Sequence, residues 1–302
     1  MTINDINFLG FYRKCDLLGS NSWESFINYK LLNAEKLKFD CDSSKEAKAM
    51  LKDIFGESQY TDTLISPQSF VTLYMRYYHS DLLEYNERYK KYIVPDIAGL
   101  KKQMVSEGVC EIIKTINNQS VWAYFSKVND IQVHERILEF LNAVYTLPNF
   151  SSVCFGFNIG RVAKTQDNFL VALYHIYNYF KKREMGTRNL SPRAELSKFL
   201  SQNRFRSNVS STQEEVVNEV QKWLDEYSSF SAFIEKYYLQ DFLEDPNKPN
   251  SKPKQLWEGI FDGNLQPSKL EFFTSIDFLT KAIRSRGNRI DAAASTLKMR
   301  IV

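Results

Sequence analysis

The sequence predicts a mainly α-helical protein, a multi-helix globular bundle with at most a small β-hairpin near residues 146–160. Three observations favour this fold class. Apolar residues recur at helical spacing along most of the 302 residues. The chain has only 11 glycines and 8 prolines, fewer than the many turns of a β-sandwich or barrel require. Apolar residues at 43% and aromatic residues at 14% indicate a large core rich in aromatic rings.

The first third of the chain is predicted to form three helices. Residues 22–38 are amphipathic, and 43–55 begins with a capping box of Ser43 and Glu46. Gly56 is expected to end the second helix because glycine accepts the left-handed conformation. A long helical pattern covers 66–94. Its tyrosines share one stripe, which is interpreted as core or interface rather than as a base-stacking surface. A tyrosine at such a position can bury its ring while its hydroxyl stays in contact with water. The stripe consists of Tyr74, Tyr78, Tyr85, Tyr89 and Tyr92.

Two strongly periodic helices, 129–145 and 167–182, flank the segment TLPNFSSVCFGFNIGR at 146–161. This segment combines a proline, two glycines and two asparagines, which are turn-forming residues. Asp167 follows it and is predicted to cap the second helix, because a carboxylate accepts hydrogen bonds from the free amides at a helix start.

The remaining elements are helices separated by one proline-rich loop. Ser191-Pro192 is typical of a helix start, and Thr212 with Glu215 forms a capping box. A helical pattern covers 228–243, and the loop at 245–254 contains three prolines. A long helix is predicted at 268–284, followed by a short one at 289–299. We expect one continuous domain over 1–302; the alternative is an N-terminal helical region, 1–125, and a second region, 126–302.

Charge is unevenly distributed although the net charge is only +3. The segments 181–206 and 281–300 are basic, and 213–258 between them is acidic. The preferred interpretation is that these segments form solvent-exposed faces whose opposite charges partly neutralise one another in the fold. The alternative is that the two basic segments form a nucleic-acid-binding surface.

Several enzyme classes lack their motifs in this sequence. It has no phosphate-binding P-loop, no dinucleotide-binding glycine motif and no GxSxG nucleophile elbow. Three isolated histidines, His79, His134 and His175, make no zinc-binding pair, so packed or surface histidines are expected. We therefore predict no metal and no cofactor and assign no catalytic residue, although folding could bring Cys110 or Cys154 to His134 as a nucleophile pair.

The cysteines and the hydropathy pattern predict a cytoplasmic protein. Cys15, Cys41, Cys110 and Cys154 lie far apart, which suits free thiols in a reducing compartment better than a disulfide framework. No window approaches about 18 uninterrupted apolar residues, so no membrane partner is expected.

Spaced blocks between about 130 and 290 resemble an uncharacterised bacterial family. The blocks are Tyr145-Thr146, Asn158-Ile159-Gly160-Arg161, Asp167-Asn168-Phe169, Leu239-Gln240-Asp241 and Arg286-Gly287-Asn288-Arg289-Ile290. That family has no established activity, so the resemblance implies no reaction. Residues 146–158 also have a remote likeness to HNH-type restriction nuclease domains. The asparagines Asn149 and Asn158 match, but the histidine that activates water in such nucleases has no counterpart there.

One set of polar residues is a candidate binding site. Arginine offers a planar fork of donors to carboxylate or phosphate, and asparagine both donates and accepts. The alternative, which we prefer, is a structural role in which Arg161 pairs with an acid and Asn158 holds a turn. The candidate residues are Asn158, Arg161, Asp167, Arg286, Asn288 and Arg289.

Three functional hypotheses follow. The first is a non-enzymatic intracellular binding or interaction protein with a protein partner, in a phage-defence or mobile-element setting. The second is a nucleic-acid-binding protein that uses 181–206 and 281–300. The third is an enzyme, degenerate and nuclease-like, with its site around Asn158, Arg161 and Asp167.

Overall fold

The computed structural model describes residues 51–56, 60–65, 84–86, 91–93, 136, 139–140, 143–144, 146–161, 169–186, 191–200, 212–263 and 267–301. The side chains of 84–86, 91–93 and 294–301 lie outside this description. Of the interpretable residues, 68% are helical, which confirms the predicted mainly α class. None of the helices in this part of the chain has the length and apolar character that crossing a membrane requires.

Two small antiparallel sheets contain the described strands. The strands are β1 (Tyr60–Thr63), β2 (Glu84–Asn86), β3 (Lys91–Ile93) and β4 (Phe150–Val153). β1 pairs with β4 across a long sequence separation, with Tyr60 opposite Val153 and Thr63 opposite Phe150. The strand near 146–160 therefore pairs with residues 60–63 and not with a neighbouring segment.

The prediction of a helix over 66–94 is wrong at β2 and β3, because these two strands pair with each other in an antiparallel hairpin. Tyr85 stands opposite Tyr92 in this register, so these two tyrosines do not belong to a helical stripe. Aromatic residues favour extended backbone as well as buried helix faces, and their spacing alone did not distinguish the two. Tyr74, Tyr78 and Tyr89 lie outside the described residues.

The described helices follow the sequence pattern closely in the second half of the chain. They are α1 (Phe155–Gly160), α2 (Phe169–Met185), α3 (Pro192–Phe199), α4 (Gln213–Asp225), α5 (Phe230–Lys236) and α6 (Lys269–Ile301). Short 3-10 helices occupy Leu147–Asn149, Gln240–Phe242 and Ile260–Asp262. Earlier in the chain, residues 51–55 are helical and Gly56 follows them with φ +91°, which confirms the predicted helix end.

The capping box that starts α4 is present as predicted. The Glu215 amide donates to Thr212 Oγ1 at 3.2 Å, and the Thr212 amide donates to Glu215 Oε2 at 2.6 Å. Pro192 is the first residue of α3, as the Ser191-Pro192 pair predicts.

Two predicted helix boundaries are wrong. The predicted helix at 228–243 ends at Lys236, and Tyr238 then has φ +54° before the 3-10 helix. The two helices predicted at 268–284 and 289–299 are one continuous helix, α6. Gly287 has low helix propensity, but Arg286 and Ile290 beside it are buried, and tertiary packing outweighs propensity there.

The core contains a continuous aromatic cluster between α1, α4 and α5. Rings of Phe157, Trp223, Phe233 and Tyr237 contact one another, mostly edge to face. α1 approaches α4 so closely that a Cβ on Gly156 would lie 2.8 Å from the carbonyl oxygen of Val216. This close approach fixes α1, which carries Asn158 and Arg161, against the core.

Candidate functional site

Asn149 joins the start of β4 to the strand β1. Its buried side chain accepts from the Ile65 amide at 3.0 Å and donates to the carbonyls of Ile65 and Val144, each at 2.8 Å. The Leu64 amide donates to the Asn149 carbonyl at 2.7 Å. The side-chain amide of Asn149 therefore extends the β1–β4 pairing in the way that strand backbone would. It also connects this sheet to the helical residue Val144.

The register of this pairing decides which carbonyls point away from the sheet. Leu64 and Asn149 are joined by a backbone hydrogen bond. Hydrogen-bonded and non-hydrogen-bonded residue pairs alternate along antiparallel strands, so every second residue pair before Leu64 on β1 is hydrogen-bonded as well. The residues between those pairs turn their carbonyls outward. Thr61 and Thr63 on β1, and Phe150 on β4, are in this position.

The candidate residues on α1 cover the outer edge of β1. Asn158 Nδ2 donates to the Thr61 carbonyl at 3.2 Å. Arg161 donates from Nη2 to the Thr63 carbonyl at 2.7 Å and from Nη1 to the Leu64 carbonyl at 3.2 Å. Asn158 and Arg161 are three apart in sequence and so share one helix face. They supply the donors that a further strand would otherwise provide.

Arg161 also has a charged partner. Its Nη2 lies 2.7 Å from Asp62 Oδ2, and the arginine side chain is fully buried while that of Asp62 is 12% exposed. The guanidinium carbon stands 5.4 Å from the centre of the Phe157 ring. Arginine is suited to this position because its planar fork reaches two carbonyls and a carboxylate at once.

Arg286 covers the opposite edge, that of β4. From α6 it donates through Nη1 to the carbonyls of Phe150, at 2.8 Å, and Pro148, and through Nε to the carbonyl of Tyr237 at 3.0 Å. Its side chain is fully buried, and no carboxylate is among its partners in the described part of the chain. Burial lowers the pKa of Arg286 to about 9, so the guanidinium remains charged at neutral pH.

The five described residues of the predicted site are therefore not brought into one pocket. Arg289 binds Asp241 with two nitrogens, at 2.6 and 3.3 Å, and this hydrogen-bonded carboxylate raises the pKa of Arg289. Asn288 is exposed on α6. Asp167, the predicted helix cap, lies outside the described residues. Whether any of the six binds a ligand stays a prediction.

Asn288 lines an open groove, which we call the α6 groove. Its volume is about 270 Å³. Two ion pairs border it, one between Arg136 Nε and Asp277 Oδ1 at 3.0 Å and one between Arg284 and Glu139 at 3.9 Å. Both signs of charge are thus present at this surface. The groove is lined by Glu139, Asp277, Thr280, Lys281, Arg284, Ser285 and Asn288.

The described basic residues of 181–206 all have acidic partners. The pairs, all within 4 Å, are Lys181–Glu184, Lys182–Glu195, Arg183–Asp225, Arg193–Glu214 and Lys198–Glu195. In the second basic segment Arg286 is buried and Arg289 is paired with Asp241. Three of these acids, Glu214, Asp225 and Asp241, belong to the acidic segment 213–258. This arrangement agrees with mutual neutralisation of the charged segments.

A buried polar cluster that the sequence analysis missed lies between α2 and α3. Glu195 is 2% exposed and accepts from Lys182 Nζ at 2.5 Å and Lys198 Nζ at 2.9 Å, with His175 Nδ1 at 3.2 Å. Burial raises the pKa of Glu195, but these hydrogen bonds outweigh it and bring the pKa to about 2. His175 is thus a packed histidine, as expected. The sequence shows that His175 and Lys182 are seven residues apart and so lie on one helix face. It does not show which other helix packs against that face.

Cys154 does not have the properties of a nucleophile. It is a free, half-buried thiol, and burial raises its pKa to about 12, so it is protonated at neutral pH. Reactive cysteines need a lowered pKa, because the thiolate is the attacking species. His134 and Cys110, the other members of the predicted pair, lie outside the described residues. Among the residues described, no three His, Cys, Asp or Glu side chains converge in a way suited to a metal ion.

Comparison with known proteins adds no relative. A search against family models finds no match, and searches of curated proteins and of solved structures find none either. The resemblance to an uncharacterised bacterial family and the likeness to HNH-type nucleases therefore stay predictions.

Proposed function

We propose that this protein is a non-enzymatic binding protein that contacts a protein partner through the α6 groove. The observation that carries the proposal is the contrast between the buried arginines and this groove. Arg161 and Arg286 donate to backbone carbonyls inside the protein, so their charge is not presented to a ligand. Asn288, the exposed member of the predicted site, lies in the groove beside Lys281 and Arg284.

The charges at the groove favour a partner with a patterned polar surface. Lys281 and Arg284, together with Glu139 and Asp277, suit a protein that presents acidic and basic groups close together. Such complementarity sets the register of two surfaces and speeds their association. The proposal includes a cytoplasmic location, because four widely spaced cysteines with no CxxC pair suit a reducing compartment better than a disulfide framework.

A nucleic-acid partner is less well supported. Nucleic-acid affinity depends on cations that are available to phosphates. The described cations of 181–206 have carboxylate partners, two of which, Glu214 and Asp225, come from the acidic segment. An enzyme built on Asn158 and Arg161 is less well supported too, since both side chains donate to carbonyls of 61–64.

The experiment is capture of partners by the tagged full chain in its native cells, quantified by mass spectrometry. Three chains are compared: the wild type, Lys281→Glu/Arg284→Glu, and the control Lys222→Glu/Lys236→Glu. The control makes the same change of net charge at two other exposed lysines. We expect a protein that the wild type and the control retain equally, and that the groove variant retains at least about tenfold less.

Two results would contradict the proposal. One is a protein partner retained equally by all three chains, which would move the contact away from the α6 groove. The other is binding of labelled DNA or RNA whose affinity falls by orders of magnitude between about 50 and 200 mM salt, as phosphate contacts require. That second result would favour the nucleic-acid hypothesis.

A further inference from the structure

The contact between α2 and α3 contains a cluster of four ionisable side chains, which we call the Glu195 cluster. His175 and Lys182 come from α2, and Glu195 and Lys198 come from α3. Three donor nitrogens lie within 3.2 Å of one carboxylate. This cluster bridges the two helices, so its charge state bears directly on whether they stay together.

The cluster already contains more positive than negative charge. Lys182 and Lys198 face the single carboxylate of Glu195, and the exposed Asp262 is a further acid that acts on His175. An exposed carboxylate is screened by solvent and compensates little. Protonation of His175 would therefore place a third cation at a site that holds one buried carboxylate.

The ring of His175 has little access to water that could stabilise its charge. The residue is 7% exposed, and its ring stacks flat on Phe199 with centres 5.8 Å apart and planes 4° from parallel. The ring of the preceding residue, Tyr174, also lies close to the His175 ring, with centres 5.5 Å apart. A protonated His175 in these surroundings loses hydration, and the nearby carboxylate of Glu195 is already paired with two lysines.

We propose that the Glu195 cluster is an acid-sensitive latch that holds α3 against α2 while His175 is neutral and releases α3 once His175 is protonated. The release exposes the apolar face of α3 formed by Leu196, Phe199 and Leu200, all fully buried in the closed state. A surface of that kind is hidden at neutral pH and available at mildly acidic pH. This inference does not depend on the α6 groove.

The direction of the pH dependence follows from proton linkage. Burial lowers the pKa of His175 below its usual 6.5, and the hydrogen bond to Glu195 opposes this only in part. The open state, in which the histidine is hydrated, binds the proton more readily than the closed state. Closure is therefore favoured above pH 6.5 and weakens as the pH falls below 6.5. At pH 5.5 the opening equilibrium can rise by at most about tenfold, because linkage gives a factor of ten per pH unit.

Hydrogen exchange of the full chain tests the latch. Exchange is measured by mass spectrometry at pH 7.0 and 5.5 and corrected for the intrinsic pH dependence of amide exchange. We expect the opening equilibrium of the amides of α3 and its C-cap, 193–200, to increase several-fold and by at most about tenfold. Peptides from α4 and α6 should change by less than twofold, since global unfolding is not what the latch controls.

Two variants identify the group responsible. His175→Gln keeps a donor for Glu195 but does not titrate, so the acid-induced opening of α3 should disappear. Lys198→Met changes a side chain that is 55% exposed and removes one cation, which should raise the pKa of His175 and reduce the opening. An α3 exchange rate that shows no corrected pH dependence in the wild type would overturn the proposal. So would the same pH dependence in the wild type and in Lys198→Met.

Discussion

Buried charges are held in two different ways in two regions of this protein. At the β1–β4 sheet, Arg161 and Arg286 donate to backbone carbonyls of residues 63, 64, 148, 150 and 237. Between α2 and α3, Glu195 is held by the side chains of His175, Lys182 and Lys198. Backbone acceptors carry no proton that pH can change, whereas one of the side-chain donors, His175, has an ionisable imidazole whose pKa is lowered by burial. The backbone contacts of the first region should therefore be constant in pH, with the Arg161–Asp62 ion pair as its titratable part, and the second region should respond to pH through its side chains.

The largest expected effect is the loss of Arg286. Arg286→Ala leaves the carbonyls of Pro148, Phe150 and Tyr237 without their donor and leaves a cavity in a fully buried position. We expect the free energy of unfolding to fall by about 3–5 kcal/mol, measured by urea denaturation at pH 7. Arg284→Ala is the control, because that half-exposed neighbour should change stability by no more than about 0.5 kcal/mol. Equal stability of the two variants would contradict the role given to Arg286.

A somewhat smaller loss is expected for Arg161→Ala. The variant removes a donor from the Thr63 and Leu64 carbonyls, but the Phe169 amide still donates to Leu64, and water can reach the partly exposed Asp62 and hydrate its carboxylate. We expect a loss of about 2–4 kcal/mol in urea denaturation. Asp62→Ala and the double variant complete a cycle, and the two losses should not add because the side chains are in contact. Additive losses would mean that the ion pair contributes no coupling energy.

Acid should affect the second region through Glu195. Its pKa of about 2 lies below the usual 4.5, so the unfolded chain takes up the proton first as the pH falls. The stability that Glu195 contributes is present above pH 4.5 and is lost between pH 4.5 and 2. Unfolding measured across this range should therefore be less steeply pH-dependent in Glu195→Gln than in the wild type. The exposed control Glu235→Gln should follow the wild type; a Glu195→Gln curve parallel to the wild type would show that the carboxylate is not held as described.

The smallest effect is expected for Asn158→Ala. One hydrogen bond, to the Thr61 carbonyl at the outer edge of β1, is lost at a half-buried position. We expect a loss of about 1 kcal/mol, against no more than about 0.5 kcal/mol for the exposed Asn247→Ala. A loss as large as that of Arg161→Ala would place Asn158, and not the arginine, at the centre of the edge contacts.

The sequence predicted the fold class and most of the helices in the second half, because local patterns determine them. The capping box at Thr212 and the start of α3 at Pro192 are of this kind. Sequence also directed attention to Asn158 and Arg161. It did not identify their acceptors, which lie 97 to 99 residues away on β1, since long-range pairing leaves no local signal. The strands β2 and β3 were missed because tyrosine spacing fits both a helix and a hairpin.

The central claim is that Arg161 holds the edge of β1 and does not bind a ligand, and Arg161→Lys tests it most directly. Lysine keeps the positive charge but cannot reach Asp62, Thr63 and Leu64 together, because it lacks the planar fork. The measurement is the free energy of unfolding alongside partner retention by the folded variant. We predict a loss of about 1–3 kcal/mol with partner retention unchanged. Wild-type stability combined with lost partner binding would contradict the claim.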